Sequence, residues 1–258
     1  MGTVTVSANK FYTSEYTTYF LPDDYLCFTA EGADAWVKFE GNTSNLECYM
    51  PSKQAPNQWL SYYRFLNEVM SGADKISLAK GEKVYFRGNN PNGLGSNPKF
   101  TMGSDIGGTI AASGNIMSLI DKECNVTVIP CENCFQKLFQ YCEILTAAPK
   151  LPATTLKDCC YEEMFDGCTS LISAPVLSAI TLEKSCYASM FKKCSKLNSV
   201  TMLATDFIAT DCLKDWLVDT VDEGTGTLWS SYDSENAPSI IKENLPANWT
   251  VKKYEDSK

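Results

Sequence analysis

Twelve cysteines and no histidine define the chemistry open to this chain of 258 residues. Without imidazole there is no Ser-His-Asp or Cys-His nucleophile pair, no histidine-ligated zinc for hydrolysis and no proton shuttle near neutral pH. Cysteine remains. Cys131-x-x-Cys134, with Cys124 and Cys142 close in sequence, has the spacing at which two thiolates share a metal ion or close into a disulfide. No second Cys-x-x-Cys supplies the other half of a four-cysteine zinc site, so neither a metal nor a cofactor is expected. Cys159 beside Cys160, and the pair Cys27 and Cys48, stand open for a disulfide, the latter as a bridge between two strands. Paired carboxylates cleave glycosides without histidine. The close pairs here, Asp23-Asp24, Glu162-Glu163 and Asp222-Glu223, are sequence neighbours that diverge on a helix or strand, and they read as solvated faces. Gly93-Leu-Gly95 and Gly107-Gly108 lack the setting of a phosphate loop and read as turns. No catalytic residue is assigned, and the chain is not expected to be an enzyme.

Most of the cysteines belong to a repeat. Cys134, Cys160, Cys186 and Cys212 stand 26 residues apart each time, as do Cys142, Cys168 and Cys194, Phe139, Phe165 and Phe191, and Leu145, Leu171 and Leu197. A period of this size, held by several columns in one register, marks a solenoid whose coils cover one another's apolar faces. Within one unit, Cys186, Met190 and Cys194 fall at i, i+4, i+8 with Tyr187 and Phe191 beside them, which predicts a short helix over 183–194. The stretch 197–203 and its equivalent 171–177, which carries Pro175, read as edge-like strands. A strand and a short helix per unit is the leucine-rich repeat arrangement. Helices in such a stack lie about 8–10 Å apart, beyond the about 4.4–6.8 Å between Cα atoms that a disulfide needs. The ladder is therefore expected to hold buried free thiols that act as small hydrophobes.

The segments Leu151-Pro-Ala-Thr-Thr-Leu156, Cys160-Tyr161, Met164-Phe165, Gly167-Cys168-Thr-Ser-Leu171 and Ala174-Pro175 resemble the repeats of BspA-like leucine-rich repeat proteins, over roughly 114 to 251. The match weakens at Cys134-Phe135 and at Ser178-Ala-Ile-Thr-Leu182. The resemblance implies a secreted or surface-attached adhesion or binding protein of the Bacteroides type. It also implies that Asp215-Trp216-Leu217, 224–229 and 246–251 form a C-terminal cap, with tryptophans sealing the last coil.

The first hundred residues lack the period and alternate as an antiparallel β region does. Candidate strands are 26–30, 36–40, 46–50, 59–64, 75–78 and 83–88, with Val37, Phe39 and Val84, Phe86 on a half-buried face. A last hairpin is expected from 99–102 and 106–112. The fold expected is α+β: an Ig-like antiparallel β-sandwich over 1–113, capping a short leucine-rich repeat solenoid over 114–258. The tail from 252 onward is expected to fray.

A net charge of −9 without clustered Lys and Arg argues against nucleic acid and against an anionic membrane surface. No apolar run is long enough to span a bilayer. Residues 1–5 lack a leader pattern, and a leader is expected to have been removed, in line with export; cytoplasmic residence is the alternative. Recognition by a surface remains. The expected partner is a protein or extracellular-matrix ligand, the alternative a glycan held by a carbohydrate-binding module. Trp59, Tyr62, Tyr63, Trp229 and Tyr232 are the candidate aromatic contacts, since flat π faces cover C–H surface well.

Overall fold

The computed structural model describes residues 12–14, 17–19, 24–221 and 224–255. Fifteen strands run in chain order among them: β1 (Tyr12–Ser14), β2 (Thr17–Tyr19), β3 (Leu26–Glu31), β4 (Ala35–Glu40), β5 (Leu46–Tyr49), β6 (Leu60–Ser61), β7 (Ile76–Leu78), β8 (Lys83–Gly88), β9 (Lys99–Gly103), β10 (Thr109–Ser113), β11 (Leu145–Ala147), β12 (Val176–Leu177), β13 (Ser199–Met202), β14 (Gly226–Ser230) and β15 (Trp249–Lys253). Apart from the small β1-β2 pair, they form a six-stranded sheet in the order β11-β10-β3-β8-β5-β6, a three-stranded sheet β7-β4-β9, and a parallel sheet β12-β13-β14-β15. The molecule is β-rich, with a β-solenoid-like second half.

In the N-terminal region alternate residues of β3, β4 and β8 point inward, and Phe28 and Phe86 of the six-stranded sheet meet Phe100 of the three-stranded one. The Phe28–Phe100 and Phe86–Phe100 ring centroids are 4.9 and 5.2 Å apart. Two expectations fail here. The stretch 59–64 is strand only at β6, and then turns helical over Tyr62–Arg64. Tyr62 and Phe65, three apart, both enter the core on one helical face, where the Tyr62 hydroxyl accepts the Phe39 N–H at 2.9 Å. The strands near 99 and 110 exist but form no hairpin: β9 pairs with β4 and β10 with β3, so the connection crosses from one sheet to the other.

The second half departs from the expected helix. Residues 183–194 are a ribbon of consecutive turns, and so are the equivalent stretches of the neighbouring coils. Amide groups alternate in their use. In the second coil the N–H groups of Cys160, Glu162, Met164, Asp166 and Cys168 bond the carbonyl three residues back. Those of Cys159, Tyr161, Glu163, Phe165 and Gly167 bond carbonyls of the next coil, at 2.8–3.1 Å. Every fourth residue is left-handed: Asn133, Lys137 and Tyr141; Cys159, Glu163 and Gly167; Ser185, Ser189 and Lys193; Asp211, Asp215 and Asp219. Gly167 is the one glycine in this set, and a Cβ there would collide with the Tyr141 ring of the preceding coil.

The physical reason is one of thickness. Parallel strands sit about 4.8 Å apart, whereas an α-helix with its side chains is about 10 Å across. A turn ribbon bonded coil to coil advances at the strand spacing, so both halves of each coil keep their hydrogen bonds. Of the two stretches expected as edge-like strands, 171–177 holds β12, the terminal strand of its sheet, whereas 197–203 holds an internal one. β13 lies between β12 and β14, paired in parallel with both, and is not an edge.

The two halves share one core. Ile110 of β10 pairs in parallel with Leu145 of β11, and Phe100 of β9 donates its N–H to the Leu138 carbonyl at 2.7 Å, so the N-terminal strands supply a coil's worth of partners to the first repeat. At the other end Trp216 is fully buried, with its indole N–H on the Asn244 carbonyl at 3.1 Å. Trp249 lies flat over Gly226, where no Cβ would fit, and bonds the Thr220 hydroxyl at 3.0 Å.

Candidate functional site

The ladder residues are all buried. Phe100, Phe139, Phe165 and Phe191 stack with centroids 5.5, 5.4 and 5.6 Å apart and planes within 12°, and Phe135, Tyr161 and Tyr187 form a second stack at 5.8 and 6.1 Å. In the inner cysteine column each thiol donates to a carbonyl of the preceding coil: Cys142 to Phe100 at 3.2 Å, Cys168 to Phe139 and Cys194 to Phe165, both at 3.1 Å. Cys134, Cys160, Cys186 and Cys212 line the other column, buried and free. Burial pushes the Cys142 and Cys160 thiols up to about 12, and holds Cys168, Cys186 and Cys194 above the ordinary thiol range as well. Thiols held protonated in this way are poor nucleophiles and poor metal ligands near neutral pH.

The spacing argument against in-column disulfides does not survive, because coils bonded to one another stand far closer than packed helices would. In the inner column the side chains project in parallel, each toward a carbonyl and not toward the next sulfur, and the thiols of both columns are free. Cys27 and Cys48 do not bridge. β8 separates their strands, and Cys27 faces away from the core side on which Cys48 is fully buried. Cys159 and Cys160 are likewise both free.

The five aromatic candidates do not form one platform. Trp59 packs on the outer side of the six-stranded sheet, its ring 5.0 Å from Tyr25 and 5.5 Å from Tyr49, with the Arg87 guanidinium 4.2 Å above it and Glu47 holding that guanidinium at 2.7 Å. Tyr62 is a core residue whose hydroxyl burial pushes up to about 12. Tyr63, next to it, is 73% exposed. Trp229 and Tyr232 lie in the last coils, under the Lys252 ammonium at 5.6 Å and bonded to the Thr205 carbonyl at 3.3 Å respectively. Glu162 and Glu163 are rungs to the preceding coil, accepting from Gln136 at 2.7 Å and Gln140 at 2.5 Å, with Lys137 3.5 Å from Glu163. Asp23, Asp222 and Glu223 lie outside the described residues.

Two concavities escaped the sequence reading. One, about 390 Å³, runs between the first two coils and is lined by Ala148, Pro149, Leu151, Pro152, Pro175 and Val176, with Lys150 and Ser178 at its rim. Prolines lack an N–H, and here the ladder between coils thins to a single bridge, Ala147 to Ser173. Beside it Ile172, Val176 and Ile180, along one segment of the second coil, are 58%, 45% and 51% exposed. Pro149 and Pro175 stand 26 residues apart in the sequence, but the gap they line is not visible there. The other, about 450 Å³, surrounds the half-exposed Trp36 on the three-stranded sheet, with Asp34, Glu82, Asp105 and Lys53 on its walls and the Lys75 ammonium 4.5 Å over the indole. In the sequence Trp36 stood out only as the first residue of the candidate strand 36–40.

Among the described residues no cluster of three or more cysteine or carboxylate side chains could hold a metal, and no helix is long and apolar enough to cross a membrane. A β-rich molecule with a β-solenoid-like stack and an apolar groove on one side is the class these features define. No family model, curated protein or solved structure matches this chain.

Proposed function

We propose that the chain is a non-catalytic binding protein, secreted or held at a cell surface, that recognises a protein or extracellular-matrix ligand through its repeat surface. The observation that carries this reading is the proline-lined groove with its flanking exposed aliphatics. Three large branched side chains left in water beside a concavity are what a surface awaiting a partner looks like. The hydrogen-bonded stack behind them supplies rigidity, so little ordering is lost on binding. In this proposal the repeats belong with BspA-like leucine-rich repeats, and the two N-terminal sheets act as an Ig-like cap. The resemblance rests on the quoted motifs, and the 26-residue columns support it.

The test is binding of the full chain to immobilised matrix proteins, comparing wild type with Val176→Asp and Ile172→Asp. These exposed sites are expected to leave the melting temperature unchanged and to weaken binding at least tenfold. Equal binding by the variants would sink the groove as the site. A second reading, a carbohydrate-binding module, is favoured by the pocket around Trp36, where an indole is edged by carboxylates that could accept sugar hydroxyls. Loss of binding to soluble glycans in Trp36→Ala, with Val176→Asp unaffected, would select it.

A further inference from the structure

One ladder sulfur, that of Cys134, has a neighbour that the repeat does not supply. Nine of the twelve thiols are buried, and only Cys124, Cys131 and Cys159 are partly open to solvent. Of these three, Cys131 lies beside a second thiol, that of buried Cys134, against the same loop glycine, Gly93. Leu94 is itself buried and flanks Gly93, whose left-handed backbone sits directly on the two sulfurs. A Cβ on Gly93 would collide with the Cys131 sulfur and touch that of Cys134 at 3.7 Å. The loop at Gly93 thus covers an accessible thiol and a sequestered one together, with left-handed Asn133 turning the short segment between them. The contrast with the inner column is geometric: there each thiol is spent on a carbonyl, whereas here two sulfurs lie against one glycine.

We infer that Cys131 and Cys134 are a thiol–disulfide exchange site, with Cys131 as the attacking group and Cys134 as the resolving one, and a small disulfide as oxidant. The Cys131 thiolate, its proton given to solvent, attacks one sulfur of the oxidant; a mixed disulfide forms and a thiolate leaves. Cys134 then attacks the Cys131 sulfur, its proton passing to the released thiolate, and the second half of the oxidant departs as a thiol. Two protein thiols are oxidised to one disulfide, and one disulfide is reduced to two thiols. Burial, with Cys131 and Cys160 close by, holds the Cys134 thiol well above the ordinary range, so the second step is the slow one and speeds up as pH rises.

The test treats the folded full chain with oxidised glutathione, then counts thiols under denaturing conditions and cleaves after acidic residues, which cuts at Glu132 between the two cysteines. The expected result is a loss of two thiols from twelve. The peptides carrying Cys131 and Cys134 should stay joined until reduced, with no glutathione on either. Cys131→Ser should abolish the link, and Cys134→Ser should accumulate a glutathione adduct on Cys131. The inference is overturned by a lasting adduct on Cys131 of the wild type, by oxidation confined to Cys124 or Cys159, or by twelve thiols surviving. Loss of the link in both variants without an adduct in Cys134→Ser would equally overturn it, since Cys131 would then not be the attacking thiol.

Discussion

At the scale of single residues, the two aromatic stacks carry much of the solenoid core. Phe165 has a ring above it and a ring below, each parallel to within 9°, so truncation removes two stacking partners and leaves a void that neighbours fixed by coil-to-coil hydrogen bonds cannot fill. Phe165→Ala should destabilise by about 3–5 kcal/mol, read as a lower urea midpoint at constant slope. These residues, like the cysteine columns, are visible in the sequence because a stack repeats its chemistry as well as its backbone. The thiol-to-carbonyl bonds are not, since the acceptor lies 29 residues back for Cys168 and Cys194 and 42 back for Cys142, on a backbone path the period does not specify.

The element that sequence reading mistook is the turn ribbon. Two adjacent buried residues in every four, as in Cys186-Tyr187 and Met190-Phe191, fit one face of a short helix over two or three turns, and they fit a four-residue turn period equally well. The separating signal lay in the third column. Ser185, Ser189 and Lys193 occupy left-handed positions, and so do Asp211, Asp215 and Asp219, residue types that tolerate or cap such a backbone better than β-branched ones do. The element therefore predicts its own mutational pattern. Ser189→Val should lose about 1–2 kcal/mol because a β-branched side chain is strained at positive φ. Ser189→Gly should stay within about 1 kcal/mol of wild type, because glycine adopts that backbone without strain. A helix would give the reverse ranking, so a pair of thermal melts separates the two.

For the whole molecule, the consequence of so many buried thiols is a stability that fails in alkali. A buried thiol is favoured in its neutral form, so its folded value lies above the ordinary 9.0, at about 12 for Cys142 and Cys160. Below pH 9 neither state has ionised and the contribution is fully present. Above it the unfolded chain sheds protons that the folded chain keeps, and stability falls until the folded thiols titrate near 12. Each such thiol contributes up to about 1.4 kcal/mol per pH unit to that fall. Urea midpoints should hold steady to about pH 8.5 and then drop steeply, and Cys142→Ala, with one ionisable thiol fewer, should show a shallower slope. A midpoint flat to pH 11 would mean the thiols are not sequestered.

The sequence by itself determined that the second half is a stack, what its period is and which side chains line its interior, because a coil that buries a face against copies of itself must repeat that face at fixed intervals. It determined most strands of the first half for the same kind of reason, an alternation that only one face of a sheet explains. Tertiary structure alone decided how β9 and β10 part between two sheets, how Phe100 becomes the first rung of a ladder built by the repeats, and where prolines open a groove. It also decided that the coil closes through turns and not a helix. Those outcomes depend on the spacing between neighbouring coils, which the period of one coil does not contain.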